Sequence, residues 1–307
     1  MEITEVSPKE YDEAFASYPH IYNSVSFSEL NSHKAERLRY LIFRNEKVRF
    51  GLITGEREGV MLSPFSAPFG GFTANKQQTI STIEDAVISL QDYCRAHETI
   101  ARISLQPLIY NPTELSKTAN VMARVGHTVC TDLNYHFDLS DFDNYEDNLN
   151  RNGRNKLHQA MKEDMMFRVV SKDDSNGIAE AYDVIRRNRA EHGYPLRMSY
   201  EDVAETIKVV DADFFLLSYN DKDIAAAQIF HVTDQICQVI YWGDLGEFSH
   251  LRTMNCLAYH IFAHYRSKGI KILDIGPASE EGIPNYGLCD FKESVGCRAS
   301  LKFTFEL

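Results

Sequence analysis

Apolar residues recur along the chain with two different periods. At Ile80, Ile83, Val87, Leu90 and Cys94, and again at Met254, Leu257, Ala258, Ile261, Phe262 and Tyr265, the spacing is helical, so each segment has one stripe to press against a sheet. Shorter apolar runs come before each helix. Leu38 to Phe43 leads into Asn45-Glu46-Lys47 and returns as Val48 to Thr54; Phe214 to Tyr219 leads into Asn220-Asp221-Lys222 and returns as Ile224 to Val232. Asn-led polar breaks between such runs predict hairpins. A further extended segment follows each hairpin, Val60 to Ser63 and Ile236 to Trp242, and then a glycine-containing loop, 68–71 and 243–246. After the helix come closing strands, Ala101 to Leu105 and Lys271 to Ile275, each just ahead of a proline, Pro107 and Pro277. The same βββαβ order thus occurs twice over nearly equal spans, Asn45 to Pro107 and Asn220 to Pro277, which points to a duplication.

Two more helices are predicted, a connecting one over Asn155 to Met165 and another over Ile178 to Glu191 that Gly193 and Pro195 stop. Between Leu139 and Arg154 the chain is rich in Asp and Asn and poor in apolar residues, so the seam between two domains is expected there, giving 1–147 and 148–307. A length of 307 residues suits two domains, each able to bury a core without disulfides or metal.

Composition mainly removes possibilities. No apolar run is long enough for a membrane span, and the acidic start after Met1 does not read as a signal peptide, so a soluble cytoplasmic protein is expected. The six cysteines contain no CxxC pair and read as buried free thiols in a reducing compartment. A net charge of −12 argues against a broad nucleic-acid surface. Arg151, Arg154, Lys156 and Lys162 are a local exception, suited either to phosphates beside a cleft or to a solvated helix face. His260 and His264 share a helix but lack an intervening acid, so no metal site is expected.

Phosphate-loop, nucleophile-elbow and zinc-protease signatures are missing. The loop from Tyr241-Trp242-Gly243-Asp244 to Asn255 follows a buried strand and opens a helix, where backbone N–H groups become free to hold an acyl or phosphate oxygen. Trp242, the sole tryptophan, lines that opening or packs the core; Asp244 is a base or a turn carboxylate. Asp274 ends the closing strand where α/β sheets present side chains to a cleft, or ties the turn.

Tyr241-Trp242-Gly243, the helix with Asn255 and Leu257, Gly269-Ile270, Leu273-Asp274-Ile275-Gly276, then Gly287, Phe291-Lys292 and Gly296 follow one another in an order that resembles the C-terminal half of FemAB-type aminoacyl and peptidyl transferases. Arg154-Asn155-Lys156 is similar to the basic helix opening that half, and Phe27, Lys34 and the 68–71 segment match the first half loosely. The resemblance implies an α/β (α+β) fold of two tandem GNAT-like domains with mixed, mainly antiparallel sheets, the C-terminal one with the active site. It implies transfer of an acyl or aminoacyl group to an amine, on a peptidoglycan precursor or another cell-envelope metabolite.

In that reading Lys292 stabilises negative charge at the reacting carbonyl and Asp244 is a candidate base. Tyr241, Trp242, Phe291, Arg154, Asn255, Asp274 and Lys34 contact substrates. No tightly bound cofactor is implied; acyl-CoA or aminoacyl-tRNA is the donor substrate, and a small-molecule or muropeptide-like amine the acceptor. The usual acyl-CoA phosphate loop is missing from both halves, and the acidic charge and the lack of room for a helical arm weaken the tRNA donor. A plain acetyl-CoA-dependent N-acetyltransferase and a catalytically inactive GNAT-fold binding module are the alternatives. Oligomeric state is not readable.

Overall fold

The computed structural model describes residues 1–307 and divides into two compact units. The first comprises 1–133, 279–284 and 300–307, the second 134–278 and 285–299. Neither is one continuous segment, and the 147/148 boundary expected from the sequence lies inside the second.

Chain order in the first unit runs β1 (Glu2–Val6), α1 (Pro8–Ala14), α2 (Val25–Leu30), β2 (Arg37–Arg44), β3 (Val48–Arg57), β4 (Val60–Ser63), α3 (Ile80–Ala96), β5 (Ile100–Ser104), α4 (Pro112–Val125) and the start of β6 (His127–Asp138). Strands β1 to β5 lie side by side in that order, antiparallel up to β4 and parallel between β4 and β5. The alternation within β2 feeds both faces of the sheet. Leu41 and Phe43 join Leu52, Ile83, Val87, Leu90 and Met122 beneath α3 and α4, while Tyr40 and Ile42 pack with Tyr11 and Phe15 of the α1 segment on the other side.

The second unit continues with α5 (Tyr145–Asn148), α6 (Arg151–Ala160), β7 (Met166–Val170), α7 (Ser175–His192), α8 (Tyr200–Thr206), β8 (Ala212–Tyr219), β9 (Lys222–His231), β10 (Ile236–Asp244), α9 (Thr253–Ser267) and β11 (Ile272–Pro277). A two-residue pair, β12 (Ser279–Glu280) and β13 (Ile283–Pro284), belongs to the first unit; α10 (Tyr286–Ser294) returns to the second. The last strand, β14 (Arg298–Glu306), pairs with β5 through Thr304↔Ser104 and Phe305↔Ile103 in the first unit. In the second unit the order is β11, β10, β9, β8, β7, with 134–138 of β6 along the far side of β11. Strand β9 is apolar and fully buried from Ile224 to Ala227, as a strand covered on both faces should be. Helix α9 covers one face, with Tyr265 against Phe215 and Phe262 stacked on Phe137. On the opposite face α7 crosses β9 and β10.

The hairpins and both long helices form where periodicity predicts them. The β8–β9 turn places Asn220 and Asp221 at φ 50° and 58°, the left-handed pair that a two-residue turn needs. Residues 139–154 are not a linker. Of their few apolar side chains Leu139, Tyr145 and Leu149 are buried and Phe142 is half-buried against Tyr145 and Tyr259, and the Tyr145 hydroxyl donates to Val295 O at 3.1 Å. The connecting helix starts earlier than expected, at Arg151, because the Asn150 side chain accepts from Gly153 N and caps it there. Lys292 lies on a helix, α10. His260 stacks on Phe167 and His264 lies edge-on to Phe215, so both serve aromatic packing. All six cysteines are free, and all but Cys130 are buried. No helix is long and apolar enough to cross a membrane.

Candidate functional site

The site grows from the point at which two parallel strands part. Strands β10 and β11 pair only through Ile236↔Ile272, Cys237↔Leu273 and Gln238↔Asp274. Beyond this, β10 bulges between Val239 and Tyr241 and stays with β9 to Asp244, whereas β11 stays with β6 to Pro277. A wedge opens between them, and backbone groups facing it lose their ladder partners.

Asp274 sits at the apex, wholly buried, at the last paired position. Its carboxylate accepts from Asn134 Nδ2 at 2.7 Å, Gln238 Nε2 at 2.8 Å and Gly276 N at 2.9 Å, and so ties β6, β10 and β11 together where they diverge. Lys292 holds the β11 wall. From α10, only 2% exposed, its Nζ donates to the carbonyl oxygens of Ile275, Gly276 and Pro277 at 2.8, 2.8 and 2.9 Å. An ammonium has three N–H donors, so all are in use. Burial pushes the Lys292 pKa down to about 8, opposed by Cys297 and by the Asp274 charge.

On the β10 wall, half-buried Trp242 lies edge-to-face on Phe291 of α10 with ring centroids 5.8 Å apart. Asp244 closes this wall. Its carboxylate accepts from the Thr253 hydroxyl at the start of α9, and its backbone oxygen accepts from Asn188 Nδ2 at 2.7 Å. Burial raises the Asp244 pKa, with the Thr253 hydrogen bond acting against it. Gly243, between the two, must lack a side chain, since a Cβ there would stand 2.3 Å from the Asn188 side chain.

Helix α9 opens without a side-chain cap. Arg252 holds the N-cap position at φ 61°, and its N–H is bonded to Ser249 O at 3.1 Å. Asn255 N turns back to Arg252 O at 3.0 Å, and the Asn255 residue is buried. Thr253 and Met254 carry the N–H groups of the first turn, which have no acceptor within the helix.

The structure thus gathers Trp242, Asp244, Phe291, Lys292 and Asp274 around one wedge or at its edges, while Asn255 is buried in the first turn of α9. Tyr241 faces the other side of the sheet, beneath α7 and the loop after it, where its hydroxyl accepts from Arg197 N at 3.2 Å. Arg154 is engaged by its own neighbourhood, donating to Glu146 O at 2.8 Å, Asp147 O at 3.3 Å and Leu149 O at 3.5 Å. Lys34 belongs to the first unit, donates to Asn31 Oδ1 at 2.9 Å and lines a cavity of about 620 Å³ with Arg57 and Arg102. Sequence reasoning missed Asn134 and Gln238, which hold Asp274. An Asn and a Gln inside apolar strand patterns were the available signal.

No protein-family model matches the chain, and no curated protein matches it in sequence. Solved structures do match in fold. FemX superposes with a TM-score of 0.68 at 12% identity over 100% of this chain and 97% of that one. L-PGS from Bacillus licheniformis follows at 0.61 and 11%, over 98% and 92%. A tandem GNAT protein from the clavulanic acid biosynthesis pathway matches at 0.52 and 12%, over 100% and 98%. The chain has the fold that these FemAB-type and tandem-GNAT structures share.

Proposed function

We propose that the protein is an acyltransferase that moves an acyl or aminoacyl group to an amine at the β10/β11 wedge. The parting of these strands carries the reading: β10 and β11 separate after Gln238↔Asp274, with the Trp242–Phe291 aromatic pair and the Asp244 carboxylate beyond that point and the uncapped first turn of α9 tied to Asp244 through Thr253. The N–H groups of that turn suit the carbonyl or phosphate oxygens of an acyl-CoA or aminoacyl-tRNA donor. Trp242 and Phe291 offer an apolar face to the acyl chain. Asp244, its pKa raised by burial, is placed to accept the proton that the attacking amine must lose. Lys292 is a positioning residue here, fixing the β11 wall through three carbonyls. To reach a reacting oxygen it has to release one of them.

The acceptor in this proposal is an amine on a peptidoglycan precursor or another cell-envelope metabolite. The test is radiolabelled transfer from acetyl-CoA, and from alanyl-tRNA, to a UDP-linked muropeptide and to a panel of simple amines. Label appearing in an acceptor, and lost in Asp244→Asn and Trp242→Ala, supports the proposal. A second reading, an inactive binding module, draws on Lys292, whose three donors are all bonded to backbone carbonyls, and on Arg154, whose Nε and Nη2 are also held by backbone carbonyls. Tight ligand binding without transfer from any donor would select it.

A further inference from the structure

On the opposite face of the second unit's sheet lies a cation with no anion. The Arg189 guanidinium, from α7, stacks over the Tyr241 ring at 5.1 Å and the Tyr194 ring at 5.7 Å, and its Nε is buried without a hydrogen-bond partner. Burial lowers its pKa, and the groups that act on it electrically are the two tyrosines, with no carboxylate among them. The neighbouring acids are engaged elsewhere: Asp183 with Arg186, Glu191 with Gly246 N, and Asp244 with Thr253. A buried guanidinium N–H without an acceptor, on a cation without a counter-ion, is costly.

A second orphan lies on the same face. Gln228 stands opposite Tyr241 in the β9–β10 register and shares its side of the sheet. It is wholly buried, and neither its amide oxygen nor its nitrogen has a partner. The loop after α7 shapes the entrance. Tyr194 N–H bonds back to Arg189 O at 2.9 Å, the Tyr182 hydroxyl donates to Met198 O at 3.0 Å, and Tyr194 is left 48% exposed as the outer plate of the stack.

We propose that Arg189, flanked by the Tyr194 and Tyr241 rings and on the same sheet face as the unpartnered Gln228 amide, binds a carboxylate ligand. The planar fork of an arginine matches a carboxylate, and the tyrosine plates fix the plane of that fork. One cation balances one negative charge, which favours a carboxylate over a phosphate dianion. Arg197, exposed on the covering loop, adds a more distant positive charge near Tyr241 that draws an anion in. Binding alone is claimed, so the site stands or falls independently of transfer at the wedge.

The test uses the full chain with N-acetylalanine, its amide and inorganic phosphate as probes. The readouts are the Arg189 Nε–Hε resonance and a calorimetric Kd. N-acetylalanine should move that resonance while the amide does not. Arg189→Gln and Arg189→Lys should each weaken binding about tenfold or more, since a charge-assisted pair is lost in the first and the fork in the second. Tyr194→Ala, at an exposed position, should weaken it with the fold unchanged. A resonance that does not respond, that responds equally to the amide or to phosphate, or a Kd that Arg189→Lys leaves unchanged, overturns the proposal.

Discussion

Each unit contains one parallel strand pair joined by a helix-bearing crossover, and the two pairs end differently. In the first unit β4 and β5 pair through Ser63↔Ile103, and the segment after β4 then continues the contact, with Gly70 bridging Leu105 and Gly70 N donating to Ser104 O at 2.8 Å. Phe69 goes into the core without exposure, against His20, Tyr22 and Tyr110. Gly70 permits this because a Cβ would come within 2.6 Å of Ser63 Oγ. In the second unit no such backbone bridge continues the β10–β11 contact, and a lysine ammonium satisfies the β11 carbonyls instead. One wedge is closed by chain and the other is kept open by a side chain. A closed wedge is core and an open one can admit a ligand, so this difference, rather than the fold common to the two units, places the candidate site.

Substitutions can break that contrast. Phe69→Ala should have the largest effect on stability, about 3–5 kcal/mol in a urea titration, while binding at the second unit stays unchanged. A parallel loss of binding would mean that the first wedge is also functional. Lys292→Met should cost about 3 kcal/mol by leaving three carbonyls without a donor; a cost near zero would show that water replaces the ammonium readily and that the wedge is wet. The pH dependence sharpens this point. Between about pH 8 and the ordinary lysine range the unfolded chain keeps a proton that the folded one has released, so stability should rise with pH relative to Lys292→Met, by about 3 kcal/mol at most. Denaturation midpoints that fall together across this window would remove the case for a depressed pKa. Trp242→Ala, at a half-buried position, should cost only about 1 kcal/mol of stability yet reduce transfer by about tenfold or more.

Much of this architecture was legible because it rests on local periodicity. The stripes of α3 and α9 and the hairpin turns depend on residues close in sequence, and the wedge residues Trp242 and Asp244 stand at a strand end that the pattern marks. What escaped depends on distant partners. Helix α10 carries Asp290, Lys292 and Glu293 in a short stretch, which reads as exposed, yet the charged Lys292 is the buried one because carbonyls of β11 receive it. Residues 139–149 read as a domain seam since four scattered apolar side chains make no period, although Leu139, Tyr145 and Leu149 are buried and Phe142 packs on Tyr145. Arg154 resembled a ligand-binding arginine, but carbonyls a few residues upstream take its donors. Arg189 gave no sign at all, since an arginine on the polar side of a helical pattern is ordinary until its partner is found missing.

The pairing of β14 with β5 bears on how the protein is made. Ribosomal synthesis delivers β1 to β5 early, but the strand that completes the edge of β5 is the one spanning 298–306. Until those residues emerge, β5 exposes a row of unpaired amides, and the nascent first unit waits for the whole second unit to be translated. A library of stalled nascent chains should therefore show the first unit gaining protease resistance only after residue 306 has cleared the exit tunnel.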